Sequence, residues 1–187
     1  MKIKRILNDL EYEIVDQILV AEICFNICKT TPIINGRGSD FIPFYYNLNF
    51  SKGIITLHSL LLSKQFDEIT IKNYLKQYKT EHPLKNIEEF ECELSKLSKE
   101  CKDILPISLR NKICAHIDQG FTHVDFTNAY IYPSAIEIYI NLIIKLKKLF
   151  FNFCGHAEYD RPFDNILEQS KFITKIIINN SSNDYNL

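Results

Sequence analysis

With 187 residues, 46% of them hydrophobic and 24% charged, the chain has the length and composition of one globular domain with a sizeable core. A net charge of -1 excludes a uniformly basic protein that coats nucleic acid, while leaving room for a local basic groove. Only five glycines occur, which suits helices better than an all-β fold with many tight turns.

In chain order, a first helix is expected from about Ile3 to Lys29, where Ile14, Ile18, Ala21, Phe25 and Cys28 recur at helical spacing. A loop from Thr30 to Ile42 contains Asn35-Gly36-Arg37-Gly38-Ser39. A second helix spans roughly Phe44 to Lys64, with Leu48, Ile55, Leu57, Leu61 and Leu62 as its apolar positions. Gly53 inside it marks a close approach of another helix. A short helix follows from Asp67, a candidate N-cap, to about Tyr78.

The clearest periodicity covers Leu84 to Cys101. Leu84, Ile87, Phe90, Leu94, Leu97 and Cys101 line one face, with Glu and Lys opposite. Next comes a helix from about Pro106 to Asp118, stopped near Gly120. Phe121 to Tyr132 reads as an ordered loop or short extended piece. A long apolar helix, Ser134 to Phe153, and a last one, Phe163 to Ile178, complete the chain.

Pro43, Pro83, Pro106, Pro133 and Pro162 each stand at or near a predicted helix start, where a missing N–H costs nothing. The expected architecture is an all-α, single-domain, up-and-down bundle of about five to seven helices over residues 1–178, with a frayed tail at 179–187.

Most of Cys24, Cys28, Cys92, Cys101, Cys114 and Cys154 lie in amphipathic segments, which predicts reduced thiols in a cytoplasmic protein rather than a disulfide scaffold. The first residues lack the apolar stretch of a signal peptide. The most apolar run, Ile136 to Phe153, is broken by Lys145, Lys147 and Lys148, so no membrane span is expected.

The most specific segment is Arg110-Asn111-Lys112-Ile113-Cys114-Ala115-His116. Arginine offers a permanently charged fork that matches phosphate oxygens. Histidine can take or give a proton near neutral pH. On a helical wheel, Leu109, Ile113 and Ile117 form an apolar stripe, with Arg110 on one edge and His116 on the other. The two are about 120 degrees apart around the axis and roughly 9 Å apart along it. One regular helix does not easily aim both at a single phosphate. An irregular helix start near Pro106 would resolve this; a second copy completing the site across a two-fold axis is the favoured solution.

This segment resembles the arginine, four to six residues, histidine signature of the HEPN superfamily. With Leu109, Ala115 and Asp118 it looks like the AbiU2-type branch, associated with abortive infection and phage defence. The motif resemblance covers residues 105–118, and helix order extends it weakly across the chain. It implies a metal-independent endoribonuclease, without cofactor or bound metal, that dimerises around a shared cleft and acts as a toxin or phage-defence effector. His116 would serve as general base or acid, Arg110 would stabilise the phosphorane-like transition state, and Asn111 would orient the site. Products would carry 2′,3′-cyclic phosphate and 5′-OH ends. RNA is the implied substrate, and a nucleotidyltransferase-like antitoxin a possible partner. Many family members are inactive, so a silent module for dimerisation and protein or RNA binding is the alternative.

Other features have plainer readings. His116-Ile117-Asp118 and His123-Val124-Asp125 match no zinc spacing. Cys24 and Cys28 share a helix face, but among Ile and Phe they read as core, and His58 likewise. Cys154-Gly155-His156 is a weak metal signal. Asn35 to Ser39 lacks the phosphate-loop lysine and reads as a connector, with Arg37 a possible RNA contact. Lys145, Lys147 and Lys148 read as a solvated face, with a backbone-tracking groove the alternative, and Tyr45, Tyr46, Tyr130 and Tyr132 as packing, with base stacking the alternative.

Overall fold

Apolar residues at three- and four-residue spacing, with few glycines between them, commit most of this chain to helix. The computed structural model describes residues 7–30, 41–63, 69–105 and 133–155, with residues 168, 169, 171, 172 and 175; for 41–44 and 133–135 it describes the backbone alone. Among the described residues there are five helices and no strand: α1 (Leu7–Thr30), α2 (Phe41–Leu62), α3 (Ile71–Glu81), α4 (Glu88–Ile104) and α5 (Pro133–Cys154). The all-α bundle expected from the sequence is the fold.

Helix α1 is the central element, packed chiefly against α2 and α5. It buries Ile14, Ile18, Ala21, Phe25 and Cys28, as its periodicity predicted, but also Val15, Leu19, Cys24 and Ile27, so its apolar face is wide. Gly53 of α2 lies against it. A Cβ there would fall 2.8 Å from Phe25 Cε1, so glycine is what lets α1 and α2 close together. Phe25 stacks on Tyr139 of α5 at 5.4 Å between centroids, and Tyr139 meets Phe50 of α2 edge-on at 5.9 Å. These three rings join the three longest helices. A second aromatic group, Tyr74, Tyr78, Phe90, Phe150 and Phe153, joins α3, α4 and α5.

Three local expectations are corrected. Helix α3 begins at Ile71 rather than at Asp67, because Thr70 is its cap: the Thr70 hydroxyl accepts from Asn73 N at 3.0 Å. Helix α4 begins at Glu88, not Leu84. Residues 83–85 form a turn, Asn86 Oδ1 accepts from Glu88 N at 2.9 Å, and Glu88, Glu89 and Glu91 sit in the first turn, where the helix dipole favours carboxylates. Leu84 is therefore 99% exposed; its spacing from Ile87 was coincidental. In α2, which starts at Phe41 within the expected loop, Leu48 is 52% exposed and the core positions are Tyr46, Phe50, Ile54, Leu57 and Leu61.

Of the prolines expected at or near helix starts, Pro106 and Pro162 lie outside the described residues and the other three stand near one. Pro133 is the first residue of α5, Pro43 lies in the first turn of α2, and Pro83 precedes α4. At the end of α5, Gly155 takes φ 77°, the left-handed conformation that stops a helix and favours glycine. No helix among the described residues is long and apolar enough to cross a membrane.

Candidate functional site

The directions of the helices follow from their side-chain partners. Cys28 Sγ donates to the Tyr46 carbonyl while Phe25 abuts Gly53, so α1 and α2 are antiparallel. Lys29 pairs with Glu137 and Glu22 with Lys147, so α1 and α5 are antiparallel. Glu100 meets Lys145 while Phe90 meets Phe153, so α4 and α5 are antiparallel too. The C-termini of α1 and α4 and the N-termini of α2 and α5 consequently share one end of the bundle. The chain leaves α4 at Leu105, which is fully buried, and resumes at Pro133 at that same end.

Arg110, Asn111 and His116 lie between those two anchors, outside the described residues. So do Asp118, His123 and Asp125 of the His-x-Asp pairs, His156, Asn35 to Ser39, Tyr130, Tyr132, and the predicted helix from Pro106 to Asp118. Of the predicted final helix, residues 168, 169, 171, 172 and 175 are helical.

No family model, curated protein or solved structure matches this chain.

The other candidates are placed by the fold. Cys24 and Cys28 are buried in the core. Burial pushes the Cys24 thiol up to about 11, with Lys52 opposing slightly, and holds Cys28 well above its ordinary value. Both are packing groups that keep their protons, not thiolates ready for a metal. Beside them Tyr46 is buried and its phenol, with Ser51 Oγ and Thr56 Oγ1, has no hydrogen-bond partner; desolvation raises the phenol's pKa. His58 is buried in α2, as a core histidine should be. Among the described residues no group of three or more His, Cys, Asp or Glu is placed to hold a metal ion.

The lysines of α5 are largely committed to carboxylates. Lys145 Nζ lies 2.7 Å from Glu100 Oε1. Lys147 Nζ lies 3.1 Å from Glu22 Oε2 and also sits 5.8 Å from the Phe151 ring centroid. Lys148 is exposed. The row reads as helix-to-helix ties more than as a backbone-tracking groove.

One polar cluster had no sequence signal. The Tyr74 hydroxyl, on a residue only 1% exposed, donates to Glu11 Oε2 at 2.6 Å and lies 3.6 Å from Cys154 Sγ. Burial is the largest cause that raises the Tyr74 phenol, reinforced by the Glu11 hydrogen bond; burial also pushes the Cys154 thiol up to about 12. The three groups come from α1, α3 and the end of α5. Both acids are held neutral, so the cluster is a buried tie between helices. Its members stand 63 and 80 residues from Tyr74 in the chain, beyond the reach of any local pattern.

Proposed function

We propose that this protein is a metal-independent endoribonuclease of HEPN type, working as a homodimer in the cytoplasm as a toxin or phage-defence effector. The observation that carries the reading is the Arg110-Asn111-x4-His116 motif in an all-helical chain of this size. A supporting feature is that Leu105 and Pro133, the described residues on either side of the motif segment, lie at one end of the bundle.

In this mechanism His116 removes the proton from the ribose 2′-OH, and the oxygen attacks the adjacent phosphorus. The P–O5′ bond breaks, the leaving oxygen takes a proton from the protonated His116, and the ends are 2′,3′-cyclic phosphate and 5′-OH. The Arg110 guanidinium matches the equatorial oxygens as charge builds in the transition state. Asn111 holds the phosphate or orients the site. RNA is the substrate, and a nucleotidyltransferase-like protein is a candidate antitoxin.

The test is cleavage of RNA by purified protein in EDTA, with wild type, Arg110→Ala and His116→Ala compared and product ends mapped. The reading expects cyclic phosphate ends from wild type and a loss of about 100-fold or more in each variant. Failure of the wild type to cut any RNA, with no growth effect on expression, sinks it and leaves the silent dimerisation module.

A further inference from the structure

Charge is unevenly spread over the helices. Residues 69–87, holding α3 and the turn after it, carry Lys72, Lys76, Lys79 and Lys85 against the single acid Glu81, in a chain whose net charge is -1. Burial of Ile71, Tyr74 and Leu75 turns the opposite face outward, and Lys72, Lys76 and Lys79 are all exposed there, at four- and three-residue spacing. The row runs into a surface cavity of about 440 Å³ at the α3–α4 corner, whose lining includes Lys79, His82, Leu84, Lys85, Glu88 and Glu91. Its size falls within the range of roughly 300–1,000 Å³ typical of small-ligand sites.

The corner is preset. Tyr78 packs on Phe153 at 5.0 Å, the His82 ring meets Tyr78 at 4.6 Å between centroids with the planes tilted by 53°, and Lys85 Nζ sits 5.8 Å from the Tyr78 ring centroid. His82 itself is exposed. Leu84, 99% exposed, stands beside it as an apolar surface that no core contact explains. A planar ring, an apolar side chain and lysines within one concavity match a nucleotide: base on ring and leucine, phosphate on ammonium groups. Glu88 and Glu91 also line the cavity, and Glu91 pairs with Lys79 at 2.8 Å. These carboxylates are acceptors for ribose hydroxyls or base amino groups, and the exposed Lys72 and Lys85 are the cations set for phosphate.

We propose that the α3–α4 corner binds one nucleotide unit of single-stranded RNA, with Lys72 and Lys85 meeting phosphates of the strand that leads to it. The choice of RNA over other polyanions rests on the ribonuclease reading. The site lies at the opposite end of the bundle from Leu105 and Pro133, which bound the motif segment.

The test is fluorescence anisotropy of a labelled single-stranded RNA with full-length His116→Ala protein, which separates binding from cleavage. Added to that background, His82→Ala with Leu84→Ala weakens binding about tenfold and leaves the salt dependence unchanged. Lys72→Glu with Lys85→Glu weakens it at least as much and flattens the log–log salt slope by about one unit or more. Both pairs are exposed, and circular dichroism checks that the helices persist. Unchanged affinity in both double variants overturns the proposal, even if the wild type cleaves RNA; binding lost in both upholds it, even if the wild type does not. Competition by poly-glutamate equal to that of RNA, with no effect of the His82/Leu84 pair, makes the corner a docking site for an acidic protein and overturns it. A nucleoside monophosphate binding as tightly as the strand overturns it in favour of a free nucleotide.

Discussion

The Tyr74 hydroxyl donates to Glu11 Oε2 across 2.6 Å, tying the start of α3 to the first turns of α1 inside the bundle. Tyr74→Phe keeps the ring against Phe150 and removes that bond together with the weaker 3.6 Å contact to Cys154 Sγ. A hydrogen bond to a carboxylate contributes about 1.5–3 kcal/mol, and Tyr74→Phe is expected to lower unfolding free energy by that amount. Urea denaturation at neutral pH measures it. A loss under about 0.5 kcal/mol would show that Glu11 is satisfied as well by water.

Gly53→Ala sets two effects against each other. Alanine favours a helix interior by about 1 kcal/mol. Its Cβ would fall 2.8 Å from Phe25 Cε1, on a ring that is fully buried and stacked on Tyr139. Overpacking of this kind costs about 1–3 kcal/mol, so net destabilisation is expected. Phe25→Leu in the same chain relieves the clash, so the double variant loses less than the two single losses added together. Additive losses in a double-mutant cycle would refute the close approach.

Buried thiols make stability depend on alkaline pH. The ordinary thiol value is 9.0; burial pushes Cys24 up to about 11 and Cys101 and Cys154 up to about 12. Above pH 9 the unfolded chain releases protons that the folded one keeps. Their contribution is therefore complete below about pH 9 and is lost as pH rises toward 11 for Cys24 and 12 for the other two. Each thiol adds up to about 1.4 kcal/mol per pH unit to the decline. Urea midpoints under reducing conditions should fall between about pH 9 and 10, and replacing Cys101 by alanine should make the fall shallower. Alkylation mapped by mass spectrometry should label exposed Cys92 well before Cys24, Cys28 and Cys101.

A composite dimer site has a signature of its own. Mixed dimers of Arg110→Ala and His116→Ala chains contain one site with both groups intact if each site draws them from different protomers. Co-refolding the two inactive variants should then restore about a quarter of wild-type activity: half of the dimers are mixed, and each carries one good site of two. No recovery, from variants shown to exchange subunits, places both groups of each site in one chain.

The two ion pairs of Lys147 and Lys171 should differ in value. Lys147 and Glu22 are 17% and 21% exposed and join α5 to α1, whereas Lys171 and Glu168 are 51% and 71% exposed on neighbouring turns. A double-mutant cycle is expected to give about 1 kcal/mol for the first and near zero for the second.

Much of this was written in the chain itself. The spacing of Ile14, Ile18, Ala21, Phe25 and Cys28 is enough to place α1, because a helix with that stripe must bury it. Gly53 announced a close contact, since glycine in a helix interior is costly without one. Arg110 and His116 are likewise legible without coordinates, as a pairing of residue types suited to phosphate chemistry. Helix starts were less legible: Asp67 and Thr70 are both good caps, and only the structure shows Thr70 bonding Asn73. Leu84 kept the core's rhythm yet lies outside it, because periodicity records spacing and not where a helix begins. Tertiary structure alone decided that Glu11, Tyr74 and Cys154 meet, that Lys145 and Lys147 face carboxylates, and that Lys79, His82 and Leu84 share one corner with Glu88 and Glu91. Local patterns follow from steric and hydrophobic preferences along one helix, whereas these encounters depend on which helices pack together and in which direction.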